Sequence, residues 1–393
     1  MSSTAGDEDA VVICGGGIIA ASIAYHLTQK GVKPIVLERS EVAAAASGKS
    51  GGFLARDWGS GPAVQLHTAS FALHEKLAKE LTVESFRKLP TLSVKVGGRK
   101  GKNAASWLDG KASSSLMDDG TAQVTPLELT HKLIDAAKAA GAEVRIGTVA
   151  SVDTEESSGG SSSSARRVTG VTLASGETIP CAKAIVAMGP WSVLAEGWFG
   201  IPVPMEGVKS TSLIYEDVDA VRKEPFALFC SEDANGCHLE VYPRPNGEVY
   251  ICGLGGSDYV DAARLRPGGD CEAPELIKAD PRRVAAATKS FSSMTSIGAT
   301  PPDVSQACMR PCPPDALPIM GAVPGVEGAY ICAGHNCWGI LWAPVSGVAM
   351  AELVVDGAAA VVDLAPFSPA RFMTRASGGR GRKRGTAEVG EQW

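Results

Sequence analysis

The sequence predicts an α/β protein in which a parallel-sheet domain, discontinuous along the chain, carries a mixed antiparallel α+β domain between its two parts. Three observations predict it. The first forty residues read as strand, helix, strand, and two parallel strands joined through a helix require a parallel sheet. Near Trp191 the patterning changes to short strands rich in proline and aromatic residues. Later, "GAYICAGHNCWGILWAPVSGVAMAELVVDG" returns to strand, glycine loop and helix.

Each element follows from its residues. "AVVIC", Ala10 to Cys14, is a short apolar run ending in three glycines, as expected of a buried parallel strand entering a tight turn. From Ile18 to Gln29 apolar residues recur at helical spacing and Gly31 supplies a stop. A second strand covers Pro34 to Glu38. Pro126 to Ala140 reads as a helix with Thr125 as N-cap, and the strand that follows ends near Ile146. "ESSGGSSSSA" has no apolar anchor, so residues 155–166 are expected to be a flexible hairpin insertion. "AKAIVAMGPWS", Ala182 to Ser192, is a buried strand entering a Gly-Pro turn. The expected division is a flexible N-terminus at 1–9, a first domain at 10–195 and 301–370, a second at 196–300, and a disordered basic tail at 376–393.

Composition narrows the function. The 393 residues are 45% hydrophobic and 20% charged with net charge −6, enough to bury a large core, and no basic stretch interleaved with aromatics supports nucleic-acid binding. Ten scattered cysteines lack the paired spacing of a structural zinc site, so no metal is expected and a reducing compartment fits. Met1 to Ala10 is polar and acidic and resembles no import signal. Glu352, Asp356 and Asp363 interrupt the apolar stretch from Leu341 to Ala365 too often for a transmembrane segment. A cytoplasmic location is the expectation.

Gly15, Gly17 and Ala20 form a G-x-G-x-x-A fingerprint between the first strand and its helix. The first glycine makes the turn, the second admits a pyrophosphate, and the small third residue lets helix and strand close together. Ile18 opens the helix, whose N-terminus faces the phosphates. Glu38, about 20 positions on, ends the second strand beside Arg39, where a carboxylate accepts hydrogen bonds from ribose hydroxyls. This is a Rossmann-type dinucleotide site.

Several segments in order along the chain resemble the D-amino-acid oxidase superfamily, the group with sarcosine oxidase, glycine oxidase and sarcosine-dehydrogenase-related proteins, and within it a fungal and plant branch of FAD oxidoreductases. They include "VVICGGGIIAASIAYHLTQKGVKPIVLERS", "AAAASGKSGGFLA", "AIVAMGPWS", "VYPRPNGEVYICG", "QACMRPCPPDALPIMG" and "GHNCWGILWAPVSGVAMAELV". The resemblance implies FAD as cofactor. It places Ser47, Gly48, Lys49, Ser50, Gly51 and Gly52 in the loop beneath the flavin, Val149 at the strand-end position against adenine, and Gly189 with Trp191 in the turn near the dinucleotide. Gly334, His335, Trp338, Gly339 and Ile340 match the return loop at the flavin edge, followed by a helix beginning near Pro344 or Val345; His335 is mainly structural in the family. Cys308 matches the stretch where sarcosine oxidases carry a cysteinyl flavin link, whereas glycine-oxidase-like members pair an arginine at the position of Arg310 with non-covalent FAD.

On the substrate side Arg310 matches the arginine that pairs with a substrate carboxylate, a task suited to a guanidinium fork. Strict alternation in "HLEVYPRP" puts His238, Glu240 and Tyr242 on one strand face and Leu239 with Val241 on the other. Tyr242 and Glu240 are thus candidates to meet a small-molecule substrate and its amine. The expected activity is hydride removal from a primary or secondary amine, an amino acid, to flavin N5. Sarcosine oxidases carry a lysine in the return loop that promotes reaction with oxygen; Cys337 and Trp338 stand in the matching stretch here, leaving oxidase and dehydrogenase both open. Two other readings stand: an NAD-dependent dehydrogenase, which explains the fingerprint alone, and a non-catalytic trafficking or assembly factor stabilised by FAD.

Overall fold

A computed structural model describes residues 10–97, 101–156 and 166–377. Val11–Cys14 lies at the centre of a six-stranded sheet, flanked in parallel by Ile35–Glu38 and Lys183–Val186; Glu143–Ile146 and Ala329–Ala333 extend it in parallel, and Ile319–Ala322 closes one edge antiparallel. Both faces of the sheet centre are covered, so Val11–Cys14 and its two neighbours are mostly apolar and buried, whereas the edge strand Glu143–Ile146 carries Glu143 and Arg145. Val11 and Ile13 pack into the helical core, whereas Val12 and Cys14 pack against the meander containing Val149–Glu156 and Arg166–Leu173.

The helix Ile18–Gln29 is buried along most of its length between Pro126–Ala139 and Gly339–Asp356. Gly347 on the last helix sits so close to Ser22 that a Cβ would lie 2.1 Å from its Oγ and 2.7 Å from its backbone carbonyl. Among the described residues one helical stretch, Asn336–Asp356, is long and apolar enough to cross a membrane by composition; it is mostly buried as a core helix.

The second sheet runs Asp258–Val260, Glu206–Tyr215, Val249–Cys252, Glu240–Pro243, Ala227–Cys230, Thr91–Val96, Ala112–Asp118, with Val304–Cys312 also pairing Glu206–Tyr215. One face packs Leu239, Val241, Val249 and Ile251 against Ala287, Phe291 and Met294 of the helix Pro281–Met294. The opposite face looks toward the glycine turns of the first sheet.

Several expectations need correction. Thr91–Val96, Ala112–Asp118 and Val304–Cys312 lie outside 196–300 yet belong to the second sheet, because long-range pairing such as Ala227–Cys230 alongside Thr91–Val94 decides membership. Thr125 holds the N-cap position, but its side chain makes no capping bond; its amide donates to Ser85 Oγ instead, at 2.9 Å. Val149 opens a strand rather than ending one, the preceding strand having stopped at Ile146. The last helix begins at Gly339, five residues earlier than expected, and carries Pro344 inside it.

Residues 376 and 377, assigned to the tail, close a 3-10 segment, Pro369–Ser377. Glu155, Glu156 and Arg166 belong to paired strands. The expectations for 1–9, for 157–165 and for 378–393 fall outside the described residues.

An internal proline removes one helix donor and leaves the carbonyl four residues earlier unpaired. Here His74 Nε2 donates to Ile340 O at 3.0 Å and to Leu341 O at 3.1 Å, while Val345 N donates to Ser70 Oγ at 3.1 Å. The helix Val64–Glu80 thus supplies the bonds that Pro344 disrupts, and the return loop can enter its helix early.

Candidate active site

Between the two sheets lies a cavity of about 380 Å³. One end is built by the glycine turn. Gly15 has φ +111° and a Cβ there would lie 2.5 Å from Ala187 O, so both conformation and space demand glycine. Gly16 N donates to Glu38 Oε2 at 2.6 Å, and Ser40 N donates to Glu38 Oε1 at 3.0 Å. The carboxylate therefore braces the turn from the end of the second strand, and burial pushes its pKa up. Each oxygen retains acceptor capacity for a further donor.

The mouth of the first helix is open toward the cavity: a Cβ at Gly17 would meet only Ser47 Oγ, at 3.1 Å. That hydroxyl accepts from Ile18 N at 2.8 Å and so caps the helix from a distant segment. Arg39 donates to Glu272 O at 2.7 Å, and Trp191 Nε1 donates to Cys271 O at 3.0 Å. Both side chains line this end, together with Val149 and Gly189.

The loop after the second strand threads between the sheets. Gly51 passes beneath two rings, since a Cβ there would lie 2.3 Å from Tyr242 and 2.9 Å from Tyr250. Gly52 has φ +80° and faces Val124 O. Arg244 donates to Ser50 O at 3.2 Å, and Gln306 donates to Lys49 O at 3.2 Å, clipping the loop to the second sheet. Ser50 Oγ is buried without a partner on the cavity wall. Ala20, Gly48 and Lys49 do not reach the wall: Ala20 is buried, and Gly48 is needed for close approach to Ala43 O.

The far end is the cavity-facing side of the second sheet. Glu240 pairs with Cys252 and Tyr242 with Tyr250 across neighbouring strands, while Cys308 and Arg310 alternate outward from the buried Ala307 and Met309. The Tyr242 hydroxyl donates to Glu240 Oε2, and Cys252 Sγ approaches the same oxygen at 3.4 Å. Burial pushes the Glu240 carboxyl up, while Tyr242, Cys252, Arg310 and His238 pull it back. His238 lines the same face.

The return loop closes the cavity. Gly334 and Asn336 take left-handed conformations, at φ +80° and +47°, which swing the chain across the site. His335 is buried, its Nε2 bonded to Ser346 Oγ at 3.0 Å, and burial lowers its pKa to about 3. It is therefore a neutral structural ring. Trp338, Gly339 and Ile340 line the wall beside Cys337, an exposed residue whose thiol is pushed up by partial loss of water against the pull of Arg310.

Sequence reasoning missed Phe53, Trp58, Phe229, Tyr250 and Cys252, which also face the cavity. Alternation in "ALFC" offered a signal for Phe229, but that of Trp58 sits in a loop without periodicity.

The arrangement fits FAD on its own features: an open helix mouth framed by glycines, a buried acid at the second strand, and the orphan Ser50 hydroxyl midway along. A family model described as "FAD dependent oxidoreductase" matches residues 10–353. The chain is similar to a protein of Schizosaccharomyces pombe named only as an oxidoreductase, C1F5.03c, at 26% identity over 91% of this chain and 97% of that one. Glycine oxidase of Geobacillus kaustophilus is 25% identical over 92% of this chain and 97% of its own. Among solved structures, L-amino acid deaminase of Proteus myxofaciens in complex with anthranilate superposes with a TM-score of 0.75 at 18% identity, over 94% and 95% of the two chains, a likeness of fold.

Proposed function

The chain belongs to the FAD dependent oxidoreductase family, and from that premise we propose that it oxidises an α-amino acid at the carbon bearing the amine. The single observation that carries this reading is the opposed pair Arg310 and Glu240 on one cavity-facing sheet surface. A fixed cation beside a fixed carboxyl group complements a zwitterion and suits few other small molecules.

FAD, when bound, supplies the two-electron acceptor. The protein's own residues orient the donor. Arg310 takes the substrate carboxylate through its planar fork. Glu240, whose proton affinity burial raises, holds the amine and accepts the proton it sheds. Tyr242 fixes Glu240 through its hydroxyl. Loss of a hydride from carbon and a proton from nitrogen leaves an imine, which water converts to the oxo acid and ammonia or an amine. The return loop and the rings around Tyr242 line this end.

The test compares an amino acid with its decarboxylated amine in wild-type holoprotein and in Arg310→Lys. The amino acid is expected to be favoured, and the variant is expected to weaken its productive binding by about 1.5–3 kcal/mol, the worth of a hydrogen bond to a charged group, while leaving the amine's binding unchanged. Equal use of acid and amine, with no effect of Arg310→Lys, overturns the assignment.

A further inference from the structure

We infer that the ring-walled end of the cavity selects amino acids with a large flat side chain, an inference that rests on the reading of the site as an amino-acid oxidoreductase. Phe53, Trp58, Phe229, Tyr242 and Trp338 enclose this end. Phe53 stacks on Tyr242 at 5.4 Å and 11°, and meets Phe229 at 5.1 Å and 63°. Trp58 meets Phe229 at 5.1 Å and 62°, and Trp338 at 6.4 Å and 84°. These are the offset-stacked and edge-to-face geometries that aromatic quadrupoles favour, and they leave walls at steep angles rather than a closed stack.

Tyr242 is itself buried with Phe53 and Phe229 packed against it, but the other four rings are not fully enclosed. Phe199, Phe291 and Phe367 are completely buried, whereas Phe53, Trp58, Phe229 and Trp338 are only half-buried and turn surface to the cavity. They are also pinned from behind. Trp58 Nε1 donates to Asp118 at 2.7 Å; Trp338 meets His67 at 4.6 Å, and His67 Nδ1 bonds Ala55 O at 2.8 Å. A slot fixed in this way binds without ordering side chains first.

Tyr242 joins the slot to the charged end, its hydroxyl on Glu240 and its ring on Phe53. A substrate whose carboxylate and amine occupy Arg310 and Glu240 therefore extends its side chain past Tyr242 into the slot. Aromatic walls also attract cations, but of the two carboxyl groups nearby Glu240 lies across Tyr242 beside Arg310 and Asp118 is engaged by Trp58 Nε1 from behind the wall, so the slot is left to an uncharged group.

The experiment titrates the holoprotein with acetate, phenylacetate and tetramethylammonium, following perturbation of the flavin spectrum. Phenylacetate is expected to bind at least about tenfold more tightly than acetate, and that ratio is expected to fall about threefold or more in Phe229→Leu and in the milder Trp58→Phe. Equal affinities, a ratio unchanged in both variants, or tetramethylammonium binding in place of phenylacetate overturns the inference. The underlying reading fails separately: glycine or alanine reducing the flavin as fast as phenylalanine removes the slot's role and keeps the amino-acid reading, whereas reduction by no amino acid removes both.

Discussion

Cys308 faces the cavity, and its position alone would permit a thioether to the cofactor. Burial pushes its thiol up to about 11, although Lys49 and Arg310 pull it down, so little of the nucleophilic thiolate exists near neutral pH. The expectation is non-covalent FAD: acid precipitation should leave the protein colourless and the supernatant yellow, and a flavin adduct in the intact mass would contradict it. At this scale Glu240, Tyr242 and Arg310 were legible in the sequence, the first two through strict alternation in one strand and the third through resemblance. Tyr250 and Cys252 were not, because they become neighbours of Tyr242 and Glu240 only through cross-strand register. Glu38 was legible as an acid at the end of a strand, but not as the acceptor of the Gly16 amide.

The elements nearest the fingerprint could be read along the chain, since Ile18–Gln29 and its flanking strands are set by local periodicity. The return-loop helix could not. The resemblance implied a later start, and only contact with Val64–Glu80, through His74 and Ser70, shows how the helix tolerates Pro344. His74 carries a proton on Nε2 to donate to the two carbonyls, and burial lowers its pKa to about 4, which keeps the ring neutral near pH 7; His26 is likewise lowered to about 4 and His335 to about 3. All three are depressed bases. The unfolded chain therefore binds protons first as pH falls below about 6.5, and stability, full above that value, is lost progressively toward pH 4. The melting temperature of the holoprotein should drop between pH 7 and pH 5, and His74→Gln, which keeps a donor, should flatten that slope. A melting temperature constant over this range contradicts the assignment of neutral buried rings.

Across the whole molecule, the cavity forms where two sheets face each other: glycine turns of the parallel sheet hold one end and the polar face of the antiparallel sheet forms the other. A discontinuous first domain was foreseeable from the late return to strand and helix. The breadth of the second sheet was not, because Thr91–Val96 and Ala112–Asp118 join it from far upstream through pairing that leaves no local trace. The central claim is that this juxtaposition oxidises amino acids at the carbon bearing the amine. Its most direct test is anaerobic mixing of the yellow holoprotein with phenylalanine, and in parallel with phenyllactate, which differs by a hydroxyl in place of the amine. The account predicts that phenylalanine bleaches the flavin and yields one oxo acid per flavin reduced while phenyllactate leaves it oxidised; bleaching by phenyllactate, or by no amino acid across a broad panel, would contradict it.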